Sequence, residues 1–323
     1  MEKQITKTTI KSIPPFHHIR YSSCAPLLTA FLFSFAVFFT FLFPPYAFSQ
    51  VSKARQILIV NNSQILSFDA PAKKIITLAP HATELVYSAG AGEKIIATVE
   101  HSDFPEQAKN ITRIGDAYRI NLEKIIALKP DVIIAWASGN NSKQLLKLHT
   151  LGFKIYYSDI KNFKDIAVDI KNIGHIAGTE EISEHSAREF NAKINSLRNT
   201  YSNKRTVRVF YQLWHDPLMT INKTHFINQS IKLCGGTNVF SNAPVQVPQV
   251  NIESILSAKP DIMLAGYKTY AEAFNWTKNM DKTLPLSTDL FIIDPDLLHR
   301  PTMRLAEGTE KVCGILDSYR KQQ

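Results

Sequence analysis

The 323-residue chain contains no GxSxG elbow, no P-loop, no GxGxxG after a strand and no HExxH. Those absences remove the usual signatures of serine hydrolases, nucleoside triphosphatases, dinucleotide enzymes and zinc peptidases, and they argue against catalysis. Paired glycines occur at Gly235-Gly236, directly after Cys234, where a helix C-cap accounts for them. Clustered positive charge is missing as well. The formal net charge is +9, but Lys3, Lys7, Lys11 and Arg20 against Glu2 fall in the first 49 residues, leaving 33 basic and 27 acidic residues and a net of +6. That charge is spread along the chain with no basic stripe and no interleaved stacking aromatics, which argues against a nucleic-acid partner. Cysteine is scarce, three residues in all.

An uncharged apolar run stands at Leu27 to Phe43, after a basic stretch and before Pro44-Pro45 and Ala47-Phe48-Ser49. Small residues at Ala47 and Ser49 suit the −3 and −1 positions of a signal-peptidase site, so residues 1–49 read as a signal peptide and the mature chain as starting near Gln50. The run is also just long enough to span a bilayer as an uncleaved anchor. Cys24 precedes the run rather than following it, which does not fit a lipoprotein. Either way the remainder is exported. In an oxidising compartment the remaining pair, Cys234 and Cys313, is expected to form a disulfide between the first helix of the second half and the last helix, with two buried thiols as the alternative.

A sixteen-residue segment occurs twice. Asn121 to Trp136 reads NLEKIIALKPDVIIAW and Asn251 to Gly266 reads NIESILSAKPDIMLAG. Seven positions are identical: Asn121/Asn251, Glu123/Glu253, Ile125/Ile255, Lys129/Lys259, Pro130/Pro260, Asp131/Asp261 and Ala135/Ala265. Asn is a good N-cap, and a Glu in the first turn suits the positive end of the helix dipole. Lys-Pro-Asp then stops the helix, and the apolar run that follows reads as a buried strand. Two such units predict two similar α/β lobes, and the cleft between lobes is a favoured ligand site.

The rest of the chain fits that scheme. Ile57 to Val60 and Ile65 to Phe68 flank Asn61-Asn62-Ser63-Gln64 as a hairpin. Strands at Lys74–Leu78, Lys94–Val99 and Lys154–Tyr157 alternate with helices at Ala82–Ala89 and Lys143–Thr150, which predicts parallel sheets with crossover helices. Thr179 to Asn203 contains neither Gly nor Pro and reads as one long, mostly polar helix, a rigid connector rather than a flexible linker. A strand at Thr206–Leu213 opens the second half and a helix from about Pro301 to Tyr319 closes it. The expected division is a signal peptide over 1–49, a hairpin and extension over 50–72, a first α/β lobe over 73–178, the connecting helix over 179–204 and a second α/β lobe over 205–323.

Loops at the C-terminal ends of parallel strands line the crevice in such folds. Here they hold Pro80-His81, the stretch His101-Ser102-Asp103-Phe104, Trp136 and Trp214-His215-Asp216, with Tyr118 ahead of the first repeat. Trp136 stands where the other copy has Gly266, so the repeat's fold does not dictate it. A large rigid ring suits a flat ligand, and ordinary packing is its other reading. His81, His101 and His215 serve either as separate polar contacts or as a metal or haem-iron site.

Several segments resemble the cobalamin-binding members of the iron-siderophore/cobalamin class of substrate-binding proteins that serve ABC importers. They are IITLAPHATELVYSAG, SDFPEQA, NLEKIIALKPDVIIAW, LGFKIYYSD, RVFYQLWHDPLMT, LCGGTNVF, VPQVNIESILSAKPD and DPDLLHRPTMRLAEGTEKVCGILD. The resemblance covers nearly the whole mature chain. It implies two Rossmann-like lobes joined by a single long rigid helix (class III periplasmic binding protein architecture), a periplasmic monomer, no enzymatic activity and no cofactor or resident metal. The implied ligand is a corrinoid, cobalamin, held in the cleft, and the implied partner is the importer's membrane permease dimer. A haem or ferric siderophore is the alternative ligand, and an exported metal-dependent enzyme using the three histidines is a more distant one. By resemblance Trp136 contacts the corrin, Asp296 and Arg300 form a polar pair at its amide periphery, Cys234 and Cys313 form the class disulfide, and Glu123 and Glu253 are the lobe-tip carboxylates that dock into basic permease pockets. The cage is thinner than in those members: His101 replaces a tyrosine, Val247 a tryptophan, and Ala117-Tyr118 another tryptophan site. His81, His101, Tyr118 and Trp214 complete the expected ligand contacts.

Overall fold

The computed structural model describes residues 56–270 and 289–323. The expected signal peptide and its processing site lie outside the described residues. No helix among the described residues is long and apolar enough to cross a membrane. An antiparallel hairpin, β1 (Ile57–Asn61) and β2 (Gln64–Phe68), comes first, turning at Asn62 and Ser63 with positive φ.

Two four-stranded parallel sheets follow. The first holds β3 (Ile75–Thr77), β4 (Ile95–Ala97), β5 (Val132–Trp136) and β6 (Ile155–Ser158) in the order β4-β3-β5-β6. The second holds β7 (Val207–Gln212), β10 (Gly236–Asn238), β11 (Ile262–Gly266) and β12 (Asp289–Ile293) in the order β10-β7-β11-β12. Between β7 and β10 in sequence, β8 (Trp214–His215) and β9 (Leu218–Met219) form a small ribbon beyond the end of β7. Counted along the chain, each large sheet runs second, first, third, fourth. The duplication seen over sixteen residues therefore extends to the sheet topology. Strand residues alternate between two buried faces: Ile75, Val132 and Ile134 enter one core, and Ile76, Ile133 and Ala135 the other. Burial on both faces explains why these strands read as unbroken apolar runs.

The repeated helices are α2 (Leu122–Leu128) and, later in the chain, Ile252–Ala258. Asn121 and Asn251 cap them, each side chain accepting at 2.9 Å from the backbone N–H three residues on, at Lys124 and Ser254. Both helices end because Lys129 and Lys259 take up left-handed backbone, with φ of 49° and 45°. The repeated aspartates play the same part in each half. Asp131 accepts the backbone N–H groups of Lys73 and Lys74, and Asp261 that of Arg208, fixing the start of the adjacent central strand.

The other helices of the first half are α1 (Pro80–Ser88), α3 (Ser142–Thr150) and α4 (Phe163–Ala177). A capping box of Asn162 with Asp165 starts α4, and Gly178 in left-handed backbone ends it. Helix α5 (Glu180–Tyr201) then carries the chain to the second sheet, burying Phe190, Ile194 and Leu197. One apolar core runs without a break from Ile75 through Phe163 and Phe190 to Val207 and Cys313. The joint between the lobes is thus packed with side chains rather than water, and such packing resists wide opening.

The second half continues with α6 (Phe226–Leu233), α7 (Ile252–Ala258, the second repeated helix), α8 (Pro295–Leu298) and α9 (Leu305–Gln322). Cys234, at the C-terminus of α6, is disulfide-bonded to Cys313 of α9. Two of the expected helices start at other residues than the sequence pattern suggests. Helix α1 starts two residues earlier, because Pro80 fits the first helical position. The last helix starts at Leu305 rather than near Pro301, because Arg300, Thr302 and Arg304 are held by carboxylates at the gap between the lobes.

Candidate functional site

Strand order reverses between β3 and β5 in one sheet and between β7 and β11 in the other. The crevice beyond the C-terminal ends of strands at such a switch point is the favoured ligand position. Every ligand-contact candidate lies near one of these strand ends or on the loops beside them.

On the first lobe the end of β5 is organised by Asn140. Its Oδ1 accepts the Trp136 N–H at 2.7 Å, and its Nδ2 donates to the Leu78 and Ala117 carbonyls at 2.8 and 2.6 Å. One buried amide thereby ties together the ends of β3 and β5 and the loop bearing Tyr118. The Trp136 ring lies against Gly139, where a Cβ would stand 2.0 Å from the ring, so only glycine fits there. His81 is buried, its ring edge-on to Trp136 at a centroid distance of 5.6 Å. Burial, aided by the Arg300 charge, lowers the His81 pKa to about 4, so the ring is neutral at physiological pH.

On the second lobe the matching strand end is Gly266. A Cβ there would lie 2.2 Å from His299 Nε2 and 2.8 Å from the Tyr211 hydroxyl. The pair that fills this space, Tyr211 Oη and His299 Nε2, is hydrogen-bonded at 2.9 Å. A tryptophan has no room, which is the physical reason the two repeats differ in their last residue.

A cavity of about 640 Å³ opens between the lobes, lined by His101 from the first and by Leu213, Trp214, His215, Tyr267, Pro295, His299 and neighbouring residues from the second. Trp214 is 52% exposed and stacks on His215 with ring centroids 5.4 Å apart. Its indole N–H donates to the Asp216 carbonyl. His215 Nδ1 lies 3.1 Å from the Tyr267 hydroxyl, whose oxygen accepts from Gln212 at 3.1 Å.

Beside the cavity an ion cluster joins the lobes. Glu84 of α1, whose side chain is 2% exposed, receives the Arg304 guanidinium on both oxygens, at 2.6 and 3.0 Å. It also accepts from Arg300 at 3.1 Å and from the Thr302 hydroxyl at 2.9 Å. Arg300 further pairs with Asp103 at 2.6 Å and with Asp296 at 3.0 Å, and Asp296 with Lys268 at 2.9 Å. Burial opposes the charge on Asp103, but the Arg300 hydrogen bond and charge outweigh it and hold the carboxyl below its usual pKa. Arg304 also stacks over the Phe104 ring at 4.0 Å.

The expected site residues therefore fall into three places. His101 and Trp214 share the cavity; Asp296 and Arg300 lie in the ion cluster at its edge, with Arg300 already engaged by three carboxylates; Trp136 and His81 form a separate pair at the end of β5. Tyr118 is 65% exposed on its loop. The three histidines do not converge: His81 is buried beneath Trp136, while His101 and His215 line the cavity. Among the described residues no group of three or more His, Cys, Asp or Glu is arranged to hold a metal ion. Sequence reasoning missed Tyr267, His299, Glu84, Arg304 and Asn140. Tyr267 had a legible signal, since it directly follows the strand end that matches Trp136. The two lobe-tip candidates, Glu123 and Glu253, are both exposed at their helix starts, and neither forms an ion pair among the described residues.

Residues 75–284 match the family described as periplasmic binding protein. The chain belongs to the periplasmic binding protein family. Within it, the vitamin B12-binding protein of Vibrio cholerae serotype O1 is 38% identical over 259 residues, 80% of this chain and 94% of that protein. The vitamin B12-binding protein of Vibrio vulnificus is 40% identical over 245 residues, 76% of this chain and 90% of that protein. The crystal structure of the periplasmic vitamin B12 binding protein BtuF of Vibrio cholerae superposes with a TM-score of 0.71 at 37% identity, covering 78% of this chain and 99% of that one. A periplasmic heme-binding protein, RhuT from Roseiflexus sp. RS-1, shares the fold with a TM-score of 0.67 at 18% identity, covering 77% of this chain and 99% of that one. The family relatives are binding proteins rather than enzymes.

Proposed function

We propose that this chain is a periplasmic substrate-binding protein that captures a cobalamin-type corrinoid in the inter-lobe cleft and hands it to an inner-membrane ABC importer. The observation that carries the proposal is the combination of relatives named for vitamin B12 binding with a ring-lined cavity between two lobes. A corrin is a broad, mostly apolar disc with polar amides at its rim. Trp214 and Tyr267 offer ring surface, Trp136 with His81 as its support offers more from the first lobe, and Lys268 and Asp296 offer polar partners at the rim. Burial of apolar surface at roughly 25 cal/mol per Å² supplies most of the affinity before association costs are subtracted. Binding is reversible, and the ligand leaves unchanged.

Hand-over is assigned to Glu123 and Glu253. Each is exposed in the first turn of one of the two repeated helices, directly before the helix runs into the repeated strand. Two equivalent carboxylates, one per lobe, suit a two-fold permease that presents the same arginine environment twice, since carboxylate and guanidinium pair bidentately. The double variant Glu123→Lys/Glu253→Lys should abolish corrinoid uptake in cells while leaving affinity for cyanocobalamin unchanged. Normal uptake would limit both carboxylates to stabilising their own helices, an effect of about 0.3–1 kcal/mol each.

A further inference from the structure

Building on the corrinoid reading, we propose that His215 is an axial ligand for the metal of the bound macrocycle. Its Nε2 would coordinate the cobalt(III) of a corrinoid that carries an exchangeable water on one face. Three imidazoles line the cavity, those of His101, His215 and His299. His299 is excluded because its Nε2 already meets the Tyr211 hydroxyl. His101 is exposed, on left-handed backbone with φ of 64°, and no ring or hydrogen-bond partner among the described residues fixes its imidazole.

His215 is different on each count. Its ring is stacked on Trp214, and Nδ1 meets the Tyr267 hydroxyl at 3.1 Å. The Tyr267 hydroxyl accepts from Gln212 and meets Nδ1 either by donating to it or by accepting from Nδ1–H; coordination through Nε2 selects the second tautomer. That tautomer leaves the Nε2 lone pair bare, and Nε2 has no hydrogen-bond partner among the described residues. A histidine oriented through one ring nitrogen and bare at the other is the arrangement that metal-binding imidazoles use. The exchange balances simply: the Nε2 lone pair forms a Co–N bond as the Co–O bond to water breaks, water departs, and cobalt remains +3. No proton moves, because Nδ1 keeps its hydrogen.

The test mixes the purified protein with aquocobalamin and with cyanocobalamin, whose cyanide does not exchange, and records corrin absorption spectra and affinities. Aquocobalamin should bind the wild-type protein with its absorption bands moved to those of a nitrogen-ligated corrinoid, while cyanocobalamin binds without a spectral change. His215→Ala should unfold at the wild-type urea midpoint, which checks its fold, and should bind aquocobalamin without the band shift, losing about tenfold or more affinity for it beyond whatever it loses for cyanocobalamin. Tyr267→Phe, which keeps the imidazole and loses its orienting partner, should weaken aquocobalamin binding by roughly tenfold, and His101→Ala should leave the shift intact. Aquocobalamin bound tightly with an unshifted spectrum, or a shift that survives in His215→Ala, overturns the assignment while leaving the corrinoid reading in place. Failure of both corrinoids to bind removes the two together.

Discussion

Glu84 is the side chain on which most depends. It is buried, it takes both Arg304 and Arg300, and it reaches them across the gap between the lobes. A buried ion pair is not in itself stabilising, because desolvation consumes most of the Coulomb gain, but removal of one partner leaves buried charge uncompensated. Glu84→Gln should therefore destabilise the fold by about 3–5 kcal/mol, measured as a lower midpoint in urea unfolding, whereas an exposed pair such as Lys109 with Glu106 should be worth less than about 1 kcal/mol. No local pattern around Glu84 announced this role, since its partners lie more than 200 residues away. Trp136 was legible because it broke the repeat. The reason Gly266 replaces it was not, because that reason is His299, which reaches the strand end from a distant loop.

At the scale of elements, the repeats show how local chemistry carries through. Asparagine caps, first-turn glutamates and apolar strand runs predicted both helix–strand units, and the structure adds only the left-handed lysines that end the helices. Helix α4 is equally well marked, by Asn162, Asp165 and Gly178, yet it lies outside both repeats and carries no site motif. The start of α9 could not be read locally, since distant carboxylates hold Arg300 and Arg304 out of the helix. The disulfide joins α6 to α9 across 79 residues of sequence. A closed loop of that length destabilises the unfolded chain by about 4.5 kcal/mol in the chain-entropy account. Denaturation with and without reductant should show a loss of roughly 2–5 kcal/mol on reduction, and an unchanged midpoint would mean that helix packing alone secures α9.

The molecule as a whole should be acid-sensitive. Burial lowers the pKa values of His81, His225 and His299 to about 4 each. An unfolded chain takes up those three protons near pH 6.5 and the folded chain only near 4, so stability falls as pH drops through that window, by at most roughly 3 kcal/mol per histidine. Asp169 acts in the opposite sense: burial raises its pKa to about 6 against hydrogen bonds from Ser158 and Tyr156, so the folded chain gains protons first and is favoured as pH falls from 6 toward 4. Three histidines outweigh one aspartate. Unfolding followed by fluorescence should place the urea midpoint lower at pH 5 than at pH 7, by a few kcal/mol in stability.

Packing also sets the range of motion. A core that passes unbroken from one sheet through α5 to the other, with Glu84 bound across the gap, favours a preformed cleft over a wide hinge. A preformed cleft loses little affinity to reorganisation, so one ligand should occupy it tightly. Calorimetric titration of the purified protein with cyanocobalamin measures this directly. The expected result is one corrinoid per chain with a dissociation constant of about 1 μM or tighter, weakened roughly tenfold or more by Trp214→Ala. Absence of heat and of any tryptophan fluorescence change at micromolar cyanocobalamin would contradict the assignment of the cleft as a corrinoid site.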